Sequence, residues 1–194
     1  MTEPIEGAAS RLTVLSGPSG VGKGTVVEEV RRLFPHVWVS VSCTTRQPRP
    51  GEADGVQYHF VSDAEFDELI RTDRLLECAT FAGHRYGTPR KPVEQHLAAG
   101  RPTLLEIELQ GARQVRQRMP DAQFVFLSPP SVEDLRKRLA NRGTEEDAAV
   151  EARMAQASIE LDAHGEFDVV VVNDDVQRAA AEVVALLSAA AGRG

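Results

Sequence analysis

Residues 17–25 carry the clearest chemical signal in the chain, because they read Gly-Pro-Ser-Gly-Val-Gly-Lys-Gly-Thr. An apolar run at 12–15 precedes this segment, and a helical pattern of apolar residues follows it. Glycines let the backbone curl until its N–H groups converge on an anion, and the following helix presents the positive end of its dipole. Lys23 supplies a mobile positive charge for the outer phosphates of a nucleotide. The segment therefore predicts a P-loop, the alternative being a glycine-rich turn that binds no ligand.

One position of this segment departs from the usual P-loop pattern, in which Ser or Thr follows the lysine and binds Mg²⁺. Gly24 stands at that position, and Thr25 comes one place later. Because glycine has no side-chain oxygen, this residue offers the metal no side-chain ligand. We expect Mg²⁺ to be held mainly by the phosphates of the nucleotide and by water.

A second group of residues suited to phosphate lies at 42–52, where Arg46 and Arg49 stand three positions apart among prolines. Guanidinium binds phosphate through two parallel hydrogen bonds, and a stiffened loop loses less entropy on binding. Tyr58 and Tyr86, which are the two tyrosines of the chain, fall in the same region and can donate to phosphate oxygens. The pattern favours a second phosphorylated substrate, although solvated surface arginines would give the same sequence.

Arginines also occur in the region after residue 128. Arg138 and Arg142 are four apart and fall on one face of a predicted helix, and Arg153 lies beside the apolar stripe of the next predicted helix. Phosphoryl transfer needs alignment and cancellation of charge, which arginines on a closing segment would supply while excluding water. Surface salt bridges are the alternative explanation of this spacing.

The elements that must position these residues alternate between strands and helices. Strands are predicted at 12–16, 37–41, 102–109, 124–127 and 167–172, with helices at 23–34, 111–118, 131–141, 144–164 and from 175. Apolar strands that alternate with helices predict a parallel sheet covered on both faces. The region 42–97 breaks this rhythm, with a loop at 42–55, a short strand at 57–60, a capped helix at 63–71, a hairpin within 75–87 and a helix that ends at 100.

We therefore predict an α/β fold of the P-loop type, three layers in α/β/α order around a mostly parallel core sheet. Residues 1–41, 98–127 and 166–194 would form the core, 42–97 an inserted α+β lobe and 128–165 a helical lid region. A length of 194 residues is enough for one compact unit of this kind.

Composition narrows the function further. The net charge of −7 argues against a dedicated nucleic-acid binder, whose surface would be basic. Cys43 and Cys78 lack paired spacing, which is typical of reduced thiols in a cytoplasmic protein. No signal-peptide core or apolar run of membrane-spanning length is expected, and therefore no membrane association. The sequence does not determine the oligomeric state, and a homo-oligomer is compatible with it.

Taken together, these motifs resemble the guanylate kinase family, P-loop enzymes that transfer the terminal phosphoryl group of ATP to GMP. The resemblance runs in register from about residue 11 to 188, and the segments that carry it are 15–23, 41–52, 58–60, 85–88, 110–112, 129–131, 138–139, 142–145 and 172–175. It implies Mg²⁺ as cofactor, ATP with GMP or dGMP as substrates, and a place in purine nucleotide metabolism.

The resemblance also implies a role for each matching residue. The ATP-binding residues would be Gly17, Pro18, Ser19, Gly20, Val21, Gly22, Lys23, Gly24, Thr25, Arg142 and Asn173. The catalytic residues would be Lys23, Arg138, Arg142 and Arg153. The GMP-binding residues would be Ser42, Arg46, Arg49, Tyr58, Glu77, Tyr86, Thr88, Glu106 and Glu108.

Chemistry supports the role of Glu77, since a carboxylate accepts from the N1–H and the exocyclic amino group of guanine, whereas adenine lacks that donor pair. Without the resemblance, a solvent-facing carboxylate on an edge strand would be the preferred interpretation. Glu106 and Glu108 stand where the family usually has Asp, on one face of a predicted strand near its carboxyl end. Arg85 stands where an uncharged residue is common, and the sequence offers no explanation for it.

Two other functions stay open at this point. A phosphopeptide-binding scaffold of the same fold could use Arg46, Arg49 and Tyr58 without turnover, but it would need neither Lys23 nor the lid arginines. Another P-loop kinase, acting on a different phosphorylated small molecule, would not need the complete nucleotide lobe.

Overall fold

The computed structural model describes residues 11–81, 83–140 and 147–191. Along the chain the elements are β1 (Leu12–Ser16), α1 (Lys23–Leu33), β2 (Trp38–Val39), β3 (Ser42–Thr44), β4 (Tyr58–Phe60), α2 (Asp63–Arg71), β5 (Leu75–Phe81), β6 (His84–Pro89), α3 (Arg90–Ala98), β7 (Thr103–Glu106), α4 (Leu109–Arg118), β8 (Gln123–Ser128), α5 (Val132–Ala140), α6 (Asp147–Asp162), a 3-10 turn (Ala163–Glu166), β9 (Val169–Val172) and α7 (Val176–Ala191).

The core is a parallel five-stranded sheet in the order β2-β7-β1-β8-β9. Every residue of β1 is buried, because the strand lies at the centre of the sheet with a layer of helices on each face. Apolar residues of α1 and α7 pack on one face, and those of α3 and α4 pack on the other. The predicted three-layer α/β fold is therefore confirmed.

A second sheet, with strand order β4-β3-β6-β5, lies in the region predicted to be inserted. Helix α2 covers it by burying Phe66 against Cys43 and Leu75. The helix begins at the predicted residue because Ser62 and Glu65 satisfy each other's backbone N–H groups in a capping box. The hairpin of β5 and β6 places Glu77 directly opposite Thr88.

Several predicted boundaries differ from the structure, and two of the differences bear on the site. The segment 42–55 is not entirely loop, because residues 42–44 form β3 and pair with both β4 and β6. The strand predicted at 102–109 ends at Glu106, and α4 begins at Leu109, so Glu108 is an extended N-cap residue and shares no strand face with Glu106. Because residues on both sides of this boundary are apolar, the sequence pattern does not indicate the change from strand to helix.

Helices α5 and α6 pack against each other through Leu135, Leu139, Met154 and Ala157. Ser131 caps α5 as predicted, accepting from the backbone N–H of Asp134 at 3.0 Å. The predicted cap at Thr144 lies outside the described residues. Within the described ranges, every helix is too short or too polar to cross a bilayer.

Candidate active site

The turn from β1 to α1 has backbone conformations and close contacts that only glycine allows. At Gly17 a Cβ atom would lie 2.3 Å from the carbonyl oxygen of Leu127, on the neighbouring strand β8. Gly22 has φ 98° and forms the N-cap of α1, a left-handed conformation that glycine adopts without strain. The loop is therefore shaped by its glycines, as the sequence predicts.

Lys23 is the first residue of α1 and is buried inside this turn. Its Nζ donates to the carbonyl oxygen of Gly17 at 2.6 Å and lies 3.3 Å from Oε2 of Glu108. A carboxylate and a loop carbonyl thus hold the ammonium group at the carboxyl end of the parallel sheet, where α/β folds bind ligands.

The second sheet brings a guanidinium group and two phenols together. Arg46 lies over the ring of Tyr58, with its Cζ 5.4 Å from the ring centroid, and Tyr58 contacts Tyr86 at a centroid distance of 5.8 Å. Glu52 receives two hydrogen bonds from the Arg46 guanidinium, at 2.8 and 2.9 Å, and one from the backbone N–H of Arg49 at 2.7 Å. The loop between β3 and β4 is thus folded around one arginine–carboxylate pair.

The Glu77 carboxyl group is buried, with 4% of the residue exposed. Its Oε1 accepts from the hydroxyl of Thr88 at 2.7 Å. Burial raises the pKa of this carboxyl group to about 7, and the nearby charge of Glu108 also raises it. The alternative of a solvent-facing carboxylate is therefore excluded.

Glu106 and Glu108 approach the P-loop lysine although they do not share a strand. Burial is the largest influence on Glu106 and raises the pKa of its carboxyl group, while the charge of Lys23 opposes the shift. A Cβ atom placed on Gly24 would meet only Oε1 of Glu106, at 3.8 Å. A carboxylate oxygen thus lies next to the position where the P-loop lacks its hydroxyl.

These groups line one cleft with a volume of about 480 Å³. Lys23, Gly24, Glu106 and Glu108 lie on the core side of the cleft. The predicted residues that line it from the second sheet and its loops are Ser42, Arg46, Arg49, Tyr58, Glu77 and Tyr86. Thr88 is fully buried behind Glu77.

The arginines predicted to lie on a lid are placed differently. Arg138 donates to the carbonyl oxygens of Val21 at 2.9 Å and Asn173 at 2.8 Å, so it joins the P-loop to the end of β9. Asn173 in turn donates its side-chain amide to Val21 at 2.8 Å. Arg153 is half-buried on α6, next to the buried Met154. Arg142 lies outside the described residues.

Sequence reasoning missed two carboxylates at the site. Glu52 lies in the segment 42–52 that also carries Arg46, and the structure pairs the two side chains. Glu160 of α6 is buried and accepts from the backbone N–H of Ser19 at 3.0 Å, across 141 positions of sequence. A glutamate on a predicted lid helix gives no signal of such a partner, since the contact depends on how the helix packs.

The structure explains Arg85, for which the sequence offered no role. Its guanidinium lies over the ring of Phe66, 4.4 Å from the centroid, and pairs with Asp67 at 2.6 Å. Arg85 therefore holds α2 against β6, outside the cleft.

Comparisons with known proteins all indicate the same family. The family model described as guanylate kinase matches residues 9–190. A protein of Thermobifida fusca named guanylate kinase is 60% identical over 96% of this chain and 97% of its own length. One of Streptomyces coelicolor with the same name is 58% identical over 95% of this chain and 94% of its own. The crystal structure of guanylate kinase from Anaplasma phagocytophilum superposes with a TM-score of 0.80 at 32% identity, covering 96% of this chain and 88% of that one.

Proposed function

The chain belongs to the guanylate kinase family, and on that premise we propose how its residues perform the reaction. It is an ATP:GMP phosphotransferase, which converts ATP and GMP to ADP and GDP. The observation that supports the assignment of residues is that Lys23 on one side and two arginines with two tyrosines on the other line one cleft. The P-loop and Lys23 would bind ATP, and the second sheet would bind GMP.

The GMP half of the site would work as follows. Arg46 and Arg49, with the hydroxyls of Tyr58 and Tyr86, would bind the GMP phosphate, and Ser42 lies within the same wall. The Glu77 carboxylate would accept from N1–H and the 2-amino group of guanine. Adenine would place a lone pair against that carboxylate, and a buried mismatch of this kind costs several kcal/mol, on the order of the loss of a charged hydrogen bond.

Transfer itself needs little covalent work by the protein. An oxygen of the GMP phosphate would attack the γ-phosphorus of ATP in line, and the bond to the β–γ bridging oxygen would break. The acceptor phosphate is already anionic near neutral pH, so no side-chain base is required. Lys23 would stabilise charge on the transferring group, and Arg138, Arg142 and Arg153 would add to it when the lid closes.

Mg²⁺ would be bound mainly by the phosphates of ATP and by water. Gly24 contributes no side-chain oxygen, and within the described ranges no cluster of three or more acidic, His or Cys side chains forms a complete metal cage. The carboxylates of Glu106 and Glu108 have the oxygen donors that Mg²⁺ prefers, and Glu106 lies beside Gly24. When bound there, the ion would neutralise charge on the phosphates.

A coupled assay for ADP formation tests the assignment. With ATP present, we expect turnover with GMP and none above background with AMP, and we expect Lys23→Met to abolish it. Titration calorimetry should show binding of GMP but not AMP, with Arg46→Met losing GMP while it retains ATP. A protein that binds GMP without forming ADP would instead be a non-catalytic scaffold.

A further inference from the structure

Helix α4 of the core lies along the outer edge of β5. Because β5 is the last strand of its sheet, the backbone groups on that edge lack a neighbouring strand. Gln114 of α4 supplies both partners for Cys78: its Oε1 accepts from the backbone N–H at 3.1 Å, and its Nε2 donates to the carbonyl oxygen at 2.6 Å. Arg118 donates to the carbonyl oxygen of Leu75 at 2.8 Å. The side chains of α4 therefore replace the missing strand.

Between these contacts, the Glu77 carboxylate lies directly against the backbone of α4. A Cβ atom on Gly111 would be 2.3 Å from Oε2 of Glu77 and 2.9 Å from its Cδ. Such distances are far inside van der Waals contact, so only glycine leaves room for this carboxylate. Gly111 is in the first turn of α4, where the positive end of the helix dipole favours a negative charge.

We propose that Gly111 and Gln114 are positioning residues that set selectivity for guanine by holding the Glu77 carboxylate in place. Gln114 locks the backbone one residue beyond Glu77, and Gly111 provides the space that the carboxylate occupies. Thr88 holds the other carboxylate oxygen at 2.7 Å. A carboxylate restrained in this way can meet two adjacent donors of the base at once. The inference rests on the role proposed above for Glu77.

The test compares Gly111→Ala and Gln114→Met with Glu77→Gln in steady-state assays that vary GMP, IMP and ATP separately. IMP lacks the 2-amino group, so the ratio of kcat/KM for GMP over IMP measures the paired recognition. We expect Gly111→Ala and Gln114→Met to raise the KM for GMP by about tenfold or more and to lower the GMP/IMP ratio. The KM for ATP should stay within about twofold of wild type. Gln110→Ala and Gln117→Met, exposed positions of the same helix, serve as matched controls and should leave all values unchanged.

The double variant Glu77→Ala/Gly111→Ala separates the proposed mechanism from a general loosening of the helix. It should be no worse with GMP than Glu77→Ala alone, because the shortened side chain leaves no carboxylate for the added methyl group to displace. The inference is overturned if Gly111→Ala and Gln114→Met keep the wild-type GMP/IMP ratio, or if they raise the KM for GMP and ATP equally. If Glu77→Gln itself leaves the ratio unchanged, the role of Glu77 in the proposed function is wrong instead. Should Gly111→Ala fail to fold, Gln114→Met alone decides between these outcomes.

Discussion

At the scale of single residues, the Glu77 carboxyl group differs from the exposed carboxyl groups because its burial disfavours the charged form. Burial raises its pKa from 4.5 to about 7, so the folded protein binds this proton more tightly than the unfolded chain does. Stability from this group is complete below pH 4.5 and is lost as pH rises through about 7. The group that would recognise the base therefore destabilises the folded protein at neutral and alkaline pH.

Glu77→Gln should consequently stabilise the protein at high pH. Glutamine keeps an acceptor for Thr88 but carries no charge, so the variant should gain up to about 3 kcal/mol over wild type between pH 5 and pH 8. Urea denaturation at both pH values measures the difference. An equal difference between the two proteins at pH 5 and pH 8 would show that Glu77 does not titrate as described.

Gly24 differs from Gly111, because the structure leaves room for a side chain at its position. Its φ is not in the left-handed region, and a Cβ atom would meet only Glu106 Oε1 at 3.8 Å. Gly24→Ser should therefore leave the free energy of unfolding unchanged or raise it, by up to about 0.5 kcal/mol, through better helix propensity.

The added hydroxyl of Gly24→Ser should also lower the Mg²⁺ concentration needed for half-maximal activity, since it supplies the side-chain oxygen that the P-loop lacks. Activity measured across a Mg²⁺ titration checks this, with Gly24→Ala as the control that fills the space without an oxygen. If both variants respond alike to Mg²⁺, the hydroxyl has no part in binding the metal.

At the scale of elements, the contact between α6 and the P-loop joins the region predicted as a lid to the nucleotide site. Glu160 accepts from the backbone N–H of Ser19 at 3.0 Å and from Gln156 at 3.2 Å, and it is 4% exposed. Glu160→Ala would leave the Ser19 N–H without this acceptor, which should cost about 1–3 kcal/mol of stability.

Glu160→Gln should lose much less stability than Glu160→Ala, because its amide oxygen can still accept from Ser19. Thermal unfolding gives the comparison, and hydrogen exchange at the Ser19 amide reports the contact directly. Equal losses in the two variants, with unchanged exchange at Ser19, would mean that side-chain volume rather than the hydrogen bond matters.

At the scale of the whole molecule, the cleft separates two walls, which in the proposed mechanism would approach each other for transfer. The core side carries Lys23, and the second sheet carries Arg46, each paired with a carboxylate of its own wall. Two phosphorylated ligands would supply negative charge to both walls at once. We therefore expect closure to need both ligands rather than either alone.

Small-angle X-ray scattering can test this expectation with a bisubstrate that joins adenosine and guanosine through five phosphates. The radius of gyration should fall with the bisubstrate, but not with GMP alone or in Lys23→Met. Equal compaction by GMP alone would mean that closure does not depend on the P-loop.

Much of this protein could be predicted from local sequence. The P-loop, the capping box of Ser62 and Glu65, and the alternation of apolar strands with helices are confirmed, because each depends on residues a few positions apart. The resemblance to guanylate kinases placed the candidate GMP residues in one set, and the structure brings most of them to one cleft.

Only the tertiary structure shows which groups hold those residues in place. Three features depend on elements that are far apart in the chain: the burial of Glu77, the space at Gly111 that its carboxylate occupies, and the hydrogen bond between Glu160 and Ser19. Pattern and spacing describe the faces of a helix or strand, but the desolvation of a carboxylate depends on every element packed around it. The sequence by itself thus determined which chemical groups the site contains, and packing determined their environment and therefore their charge and position.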